Sequence, residues 1–242
     1  MVRTGSLNVR GFRDVIKVKA LYNYFIDQKL DVICIQDTHS SPDIEIKLRS
    51  LWPGESEWHH QTTQQGGVAI LVRKGLSIEV TNRDENGRIL FAKILDNDTI
   101  KQRVSSCYAP TSKYPTQQQT FLNDLITFDE LNPSQTYHGG DFNTILSSLD
   151  GNYFEKRTKY GRDLKNWLDN NNMVDTYRIS NPETKIYTWS NKKHKSRIDF
   201  WLCDETLATN ISVSKITKSI LTDHKLITIN TIDEENMWGK GL

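Results

Sequence analysis

The sequence has few cysteines and no long apolar run. Its three cysteines, Cys34, Cys107 and Cys203, are an odd number, and each lies inside an apolar, strand-like stretch of the 242 residues. This pattern is typical of reduced core thiols in an intracellular protein and argues against a disulfide framework or a cysteine metal cluster. No apolar run approaches the roughly 18 residues of a membrane-spanning helix, so we expect no membrane association.

An excess of charge of one sign is also missing. The chain carries 31 Lys and Arg residues against 30 Asp and Glu residues. The chain therefore has no large net positive charge that would attract nucleic acid. A binding site for a polyanion must come from a local cluster of basic residues. The opening residues, Met-Val-Arg-Thr-Gly-Ser, lack the apolar segment of a signal peptide, and we expect none.

Short strand-like runs and a few helical patterns follow one another along the chain. The run from 31 to 36 is nearly all apolar, as in a buried strand, and the run from 15 to 26 has helical spacing. Thr116 and Gln119 form a capping-box pattern that predicts a helix start. Many short strands with few helices predict an α/β fold of two packed sheets flanked by helices. We interpret residues 1–236 as a single domain.

The strongest candidate for a functional site is the stretch Tyr137–Thr144. Its strand-like run ends in Gly139 and Gly140, which permit a tight turn and a close approach to a ligand. Asp141 and Asn143 follow, and a carboxylate with a carboxamide can orient a water and hold a phosphate oxygen. Asp and Asn are also common in ordinary turns, so the interpretation depends on partners elsewhere in the chain.

Short polar side chains gather at the ends of the predicted strands. They are Asn8, Asp37, Tyr108, Asp141, Asn143, Asp199, Asp223 and His224. Hard oxygen ligands, few in number, suit Mg²⁺, which keeps several waters and binds through one or two carboxylates plus a substrate phosphate. A zinc site would need clustered His and Cys at ligand spacing, which the sequence lacks. The pattern predicts Mg²⁺ as the cofactor, with Mn²⁺ able to substitute.

A series of motifs spread over nearly the whole chain resembles the endonuclease/exonuclease/phosphatase superfamily. They are Leu7–Val9, Ile35–Thr38, Tyr108–Pro110, Gly140–Thr144, Arg197–Asp199 and Thr222–His224. Within that superfamily, Gly-Asp-Phe-Asn-Thr, Tyr187–Trp189 and the tail Trp238–Leu242 are most similar to the apurinic-type endonuclease domain of non-LTR (LINE) retrotransposons. The resemblance implies a DNase I-like, four-layer sandwich of two facing mixed β-sheets with outer helices.

The resemblance also implies a role for each matching position. Asp37, with Asn8 nearby, would hold the Mg²⁺ that neutralises the scissile phosphate, and Asp141 would orient or deprotonate the attacking water. Asn143 and Tyr108 would hold phosphate oxygens. Phosphodiester hydrolysis needs charge neutralisation, an in-line water and a stabilised leaving oxygen, and groups of these types provide all three.

The remaining catalytic assignments come from the end of the chain. Asp199 would pair with His224 and favour its imidazolium, which stabilises the charge that develops on the phosphoryl group. Asp223 would support either the metal or that histidine. One position departs from the family pattern, because the family has Glu where this chain has Asp37. The shorter carboxylate predicts a shifted or water-bridged metal that binds more weakly.

A basic segment, Asn191–Lys195, matches the position of a hairpin that enters a DNA groove in family members. Its lysines suit phosphate contacts, although a solvated hairpin tip has the same charge pattern. Thr188 and Trp189 are equally compatible with strand packing. The residues predicted to bind double-stranded DNA are Arg10, Thr188, Trp189, Lys192, Lys193, Lys195 and Arg197.

The resemblance implies an endonuclease that nicks one strand of chromosomal DNA and leaves a 3′-hydroxyl to prime reverse transcription. Such a protein is made in the cytoplasm and acts in the nucleus. We expect residues 237–242 to begin a linker to a reverse transcriptase. An abasic-site repair endonuclease or a phosphatase of the same superfamily is an alternative. A non-catalytic DNA-binding domain is another, because Asp37 replaces the family Glu.

Overall fold

The computed structural model describes residues 1–131, 135–152 and 158–232. In these ranges the strands are β1 (Val2–Asn8), β2 (Val32–Gln36), β3 (Ser56–His59), β4 (Val68–Val72), β5 (Ser77–Arg83), β6 (Ile89–Asp96), β7 (Thr99–Tyr108), β8 (Tyr137–Asp141), β9 (Met173–Asp175), β10 (Trp189–Ser190), β11 (Lys195–Ser196), β12 (Asp199–Asp204), β13 (Ile211–Thr217) and β14 (Leu226–Thr231). The helices are α1 (Val15–Asp27), α2 (Pro42–Leu51), α3 (Pro115–Glu130), α4 (Lys159–Asn170), α5 (Thr176–Ser180) and α6 (Glu205–Ala208), and Ser148–Asp150 forms a 3₁₀ turn. The predicted linker, with the motif Trp238–Leu242, lies outside the described residues, so the division into domains stays a prediction.

Two mixed sheets of six strands each stack face to face. Their strand orders are β13-β14-β1-β2-β4-β3 and β5-β6-β7-β8-β12-β9, and β10 with β11 forms a separate hairpin. In each sheet one central pair is parallel, β1 with β2 and β7 with β8. Helices flank both sheets, which confirms the predicted α/β fold of four layers.

The main core lies between the two sheets. Cys34 and Ile70 of the first sheet are buried in one cluster with Leu90, Val104 and Trp201 of the second. Strand β2 is a continuous apolar run because both of its faces are covered. Fully burying each such aliphatic side chain contributes roughly 1.5–3 kcal/mol. The three cysteines are buried and unbridged, as predicted.

Helices cover the outer faces of the sheets. Phe25 of α1 and Leu48 of α2 belong to a cluster with Ile33 on the first sheet. Leu125 of α3 and Leu164 of α4 pack in the same way on the second sheet. Within the three described ranges, no helix combines the length and the apolar character that a membrane span requires.

The start of α3 differs from the prediction. The helix begins at Pro115, one residue before the predicted cap Thr116, and Tyr114 at the N-cap makes no side-chain capping bond. Proline is favoured at the first helical position, because its fixed φ suits the helix and its missing N–H is not needed there. The capping-box pattern was therefore a coincidence of sequence.

Candidate functional site

Strand ends from both sheets meet at one edge of the sandwich. In the second sheet, Asp141 at the end of β8 lies beside Tyr108 of the parallel strand β7 and opposite Asp199 at the start of β12. In the first sheet, Asn8 ends β1 next to the end of β2, after which Asp37 follows. The residues that the sequence predicted at strand ends are therefore brought to one place.

Gly139 and Gly140 do not form the predicted tight turn. Both lie within β8. A Cβ on Gly140 would lie 1.9 Å from the carbonyl oxygen of Cys107, and one on Gly139 would lie 2.4 Å from the Trp201 ring. The close approach that requires glycine is therefore between protein groups inside the sandwich. Asp141 follows at the end of this tightly packed strand.

His224, Asp199 and Asp141 form the centre of the site. His224 lies just before β14, whose start reaches this edge because β14 runs antiparallel to β1. Its Nδ1 contacts both carboxylate oxygens of Asp199 at 3.0 Å. Its Nε2 lies 3.9 Å from Oδ2 of Asp141, which is too long for a hydrogen bond. The ring is therefore fixed by one carboxylate and faces the other across a gap.

The buried charges of this centre shift two pKa values. Burial and the neighbouring Asp199 carboxylate raise the pKa of Asp141 to about 7, although the imidazolium of His224 has the opposite effect. Burial lowers the pKa of His224, but Asp199 and then Asp141 outweigh it and raise that pKa to about 9. Between these values Asp141 is ionised while His224 is protonated. A base and an acid that face the same gap suit phosphoryl chemistry.

Two asparagines orient Asp141. The side-chain amide of Asn8 donates to its Oδ2 and the backbone N–H of Asn143 donates to its Oδ1, both at 2.9 Å. The Asn8 carboxamide oxygen accepts from the Arg10 N–H at 2.9 Å. The Asn143 side chain donates to the Ala109 carbonyl at 2.8 Å. Asn8 thus positions Asp141 directly, and its metal contact stays a prediction.

Asp37 begins a loop that hydrogen bonds hold in place. Its backbone is left-handed, with φ 57°, and its Oδ1 accepts from the Gly66 N–H at 3.1 Å and contacts Nε2 of His39 at 2.9 Å. The hydroxyl of Tyr108 lies close to this carboxylate. Burial alone would raise the pKa of Asp37, but the bonds to His39 and from Gly66, together with the nearby Tyr108 hydroxyl, hold it below its ordinary value. The carboxylate is therefore ionised at neutral pH.

Tyr108 is held by an arginine that no sequence motif singles out. The guanidinium of Arg88 lies over the Tyr108 ring, 5.2 Å from its centroid, and donates to the Tyr108 carbonyl at 3.2 Å. Burial, and then the charges of Asp37 and Asp141, raise the pKa of the Tyr108 hydroxyl far above its usual value. Tyr108 therefore keeps its proton and serves as a hydrogen-bond donor at this edge.

Asp223 links the site to the surface. Its Oδ2 accepts from Arg10 at 2.7 Å and from the Trp189 indole N–H at 3.0 Å. Its Oδ1 is buried and has no hydrogen-bond partner. An orphaned carboxylate oxygen in a buried position is costly unless a donor or a cation completes it. Arg10 itself is largely exposed, as its predicted DNA contact requires.

Carboxylates at this edge could hold a divalent cation. Asp141, Asp199 and His224 offer ligand atoms within 4.8 Å of one another. His224 is a poor ligand, however, because its Nδ1 is occupied by Asp199 and its raised pKa keeps the ring protonated. The carboxylates of Asp37 and Asp141, whose charges both act on Tyr108, are hard oxygen donors of the kind that Mg²⁺ prefers. The orphaned oxygen of Asp223 is a further donor of this kind. The residues present therefore fit an oxygen-bound cation.

The predicted basic hairpin exists and stands beside the site. β10 and β11 pair antiparallel, and Trp189 also bridges to His224. Two hydrogen bonds from Asn152 hold strand β11 in place. The backbone N–H of Asn152 donates to the Lys195 carbonyl at 3.1 Å, and its side-chain oxygen accepts from the Lys195 N–H at 2.8 Å. The tip lysines Lys192 and Lys193 are exposed. The hairpin is thus a fixed support for surface cations.

The DNA contacts predicted for Arg197 and Thr188 need correction. Arg197 is 1% exposed, and its guanidinium pairs with Asp150 at 2.8 Å and with Asp175 at 2.5 Å. Thr188 is also 1% exposed, and its hydroxyl accepts from the Asp199 N–H at 3.2 Å. The polar groups of both side chains make internal contacts, which support the hairpin and the start of β12. They position the site and do not contact DNA themselves.

Known proteins resemble this chain in sequence. The sequence profile described as the Endonuclease/Exonuclease/phosphatase family matches residues 5–224. An uncharacterized 149 kDa protein of transposon TX1 from Xenopus laevis is 25% identical in an alignment of 232 residues that covers 93% of this chain. The chain spans only 18% of that protein's length.

Solved structures share the architecture. An AP endonuclease from Leishmania major superposes with a TM-score of 0.78 at 18% identity, over 94% of this chain and 86% of that one. A 3′ phosphatase from Neisseria, bound to a product DNA hairpin, superposes with a TM-score of 0.77 at 17% identity, over 96% of this chain and 100% of that one.

The family match and the site agree in position. The matched span, residues 5–224, includes every motif from Leu7–Val9 to Thr222–His224. The structure brings the polar residues of these motifs to one edge of the two sheets. The chain belongs to the endonuclease/exonuclease/phosphatase family.

Proposed function

We propose that the chain is a metal-dependent endonuclease that nicks one strand of duplex DNA and leaves a 3′-hydroxyl to prime reverse transcription during retrotransposition. The observation that carries the proposal is the buried Asp199–His224 pair facing Asp141 across 3.9 Å. Similarity to a much longer transposon protein supports fusion to further domains. We propose that one of these is a reverse transcriptase. The protein would then be made in the cytoplasm and act in the nucleus.

The side chains divide the hydrolysis between them. Asp141 accepts a proton from the water that attacks phosphorus. The bond from phosphorus to the 3′-oxygen breaks, and the leaving oxygen takes a proton from solvent water while Asp141 returns one to solvent, which gives a 3′-hydroxyl and a 5′-phosphate. His224, held protonated by Asp199, donates to the phosphoryl oxygen that gains charge. Tyr108 keeps its proton and donates to a phosphate oxygen. Asp37 would hold a divalent cation, which would neutralise charge at the phosphate.

Nicking is expected to follow a bell-shaped pH profile. Activity falls below about pH 7, where Asp141 becomes protonated, and above about pH 9, where His224 loses its proton. Asp199 raises both pKa values, so Asp199→Asn should move both limbs to lower pH. Initial nicking rates at saturating metal, measured from about pH 5.5 to about pH 10, check this. If both limbs of the pH profile stay at the same pH in Asp199→Asn, the assignment of Asp141 as the base and His224 as the acid would be contradicted.

Neutralising the hairpin should weaken DNA binding mainly at low salt. Changing Lys192, Lys193 and Lys195 to Gln should lower the log–log salt slope of binding by nearly one unit for each DNA phosphate that these lysines neutralise. Fluorescence anisotropy of a labelled duplex over a salt series measures the slope. Lys47→Gln, which removes an exposed lysine on α2, is the matched control and should leave it unchanged. A change in cleavage position with an unaltered slope would mean that the hairpin reads DNA shape or bases.

Supercoiled plasmid tests the proposed function. Incubation with Mg²⁺ should convert it to the relaxed form, and EDTA should prevent this. A protein that binds the plasmid without relaxing it would be a non-catalytic DNA-binding domain. Cleavage confined to plasmid that carries abasic sites would assign a repair endonuclease instead.

A further inference from the structure

Two large apolar side chains project into solvent beside the site. Ile220 is 40% exposed and Leu221 is 56% exposed, and both lie in the loop between β13 and β14. Asp223 and His224 follow directly in the chain. Aliphatic side chains exposed so close to a polar reaction centre have no evident role within the fold. Nothing in the proposed hydrolysis uses them.

The loop that carries them is fixed on both sides. The Ser219 hydroxyl donates to the His224 carbonyl, and the Thr222 hydroxyl donates to the Asn8 carbonyl at 2.9 Å. The hydroxyl of Tyr24 on α1 donates to the Lys218 carbonyl at 2.8 Å. Ile220 and Leu221 therefore protrude from a backbone that is anchored to the site itself.

Leu221 has a backbone conformation that does not suit it. Its φ is 57°, in the left-handed region that glycine and asparagine adopt far more readily than leucine. Residues held in this region cluster at ligand-binding and active sites, where the surrounding structure keeps them in place. The side chain is not packed in the core, so internal packing does not account for leucine here.

Exposed cations lie on this loop or pair with it. Arg10 is largely exposed and pairs with Asp223, the second residue after Leu221. Lys218 lies in the loop itself and is exposed. Exposed apolar side chains on a loop with exposed cations, next to the proposed reaction centre, suit duplex DNA. The cations can contact its backbone while the apolar side chains enter between bases.

We propose that Ile220 and Leu221 form a wedge that enters the minor groove beside the scissile phosphate and partly unstacks a base step. Leu and Ile are used in this way by proteins that kink DNA. The inserted side chains would bend the DNA strand toward Asp141 and His224. Cleavage would then depend on how easily the DNA deforms. This inference rests on the proposed nicking of duplex DNA and adds a residue pair that selects the substrate.

The test removes the side chains without disturbing the loop. Leu221→Asn suits the left-handed backbone, and it is combined with Ile220→Ala. Ile100→Ala is the control, because Ile100 is 44% exposed and lies near the start of β7, at the end of that strand opposite to Tyr108. Substrates are a fully paired duplex and the same duplex with a mismatch at the cleaved step, which is already easier to unstack. A 2-aminopurine at that step reports unstacking in EDTA, where no cleavage occurs.

We expect the double variant to nick the paired duplex roughly tenfold or more slowly while losing less than about threefold on the mismatched one, because a mismatch removes the unstacking cost. The 2-aminopurine signal that the parent protein induces should fall to the level of free duplex, and Ile100→Ala should match the parent in both assays. The wedge would be overturned if the double variant leaves the 2-aminopurine signal unchanged and its nicking rate either falls equally on both substrates or does not fall on either. If the parent nicks neither substrate, the proposed function fails and the wedge with it.

Discussion

His224→Ala and Asp141→Asn should each lower plasmid nicking by at least about 100-fold, because general acid–base and electrostatic groups typically contribute that much. His224 has its Nδ1 held by Asp199 and presents Nε2 toward Asp141, and no other imidazole among the residues that the structure describes faces these two carboxylates. Asp141→Asn keeps the size of the side chain and removes the base. Relaxation of supercoiled plasmid under single-turnover conditions gives both rates.

Folding must be measured beside the rates. His224→Ala leaves the Asp199 carboxylate buried without its partner, which lowers stability, whereas Asp141→Asn removes a buried charge. Asp163→Asn, which loses a surface ion pair with Lys159 on α4, is the control and should keep the parent rate. Parent-like nicking by a folded His224→Ala or Asp141→Asn protein would remove that residue from the mechanism.

The second large effect concerns Asp37, where the chain departs from the family Glu. Mg²⁺ needs nearly octahedral geometry at about 2.0–2.1 Å, and a carboxylate shortened by one methylene reaches roughly 1.5 Å less far. The bonds of Oδ1 to Gly66 and His39 further restrict its position. We therefore expect slow nicking at low Mg²⁺ and a disproportionate gain with Mn²⁺, which accepts a less regular ligand set.

Substitutions at this position should act in opposite directions. Asp37→Glu should raise activity at limiting Mg²⁺, and Asp37→Ala should nearly abolish it. Metal titrations of nicking for the parent and both variants, with Mn²⁺ binding followed by its paramagnetic signal, separate affinity from rate. An Asp37→Glu protein no better than the parent, together with an Asp37→Ala protein no worse, would show that Asp37 is not the metal ligand.

The location of the site could be predicted because it depends on local patterns. Polar residues that follow apolar strand-like runs fall at strand ends, and parallel neighbours such as β7 and β8 bring their ends to the same edge. Tyr108 and Asp141 meet for that reason. The two-sheet fold was predictable in the same way, from many short strands with few helices.

Contacts between distant parts of the chain could not be predicted. Arg197 belongs to a motif beside a basic hairpin, yet its partner Asp150 lies 47 residues earlier in the chain. No pattern in the neighbouring sequence therefore indicates that Arg197 is buried. The arginine over Tyr108 is likewise visible only in three dimensions. Backbone conformation was also hidden, since leucine is not a residue type for which the left-handed φ of Leu221 is expected from sequence.

The most direct test of the central claim is the chemistry of the nick. Plasmid relaxed by the protein in Mg²⁺ is incubated with a DNA polymerase and labelled nucleotides, without any treatment of the ends. The mechanism predicts label at the nick, because the bond from phosphorus to the 3′-oxygen is broken and a free 3′-hydroxyl remains, and it predicts no nick in EDTA. Nicks that accept label only after a 3′-phosphate is removed, or nicking that persists in EDTA, would contradict it.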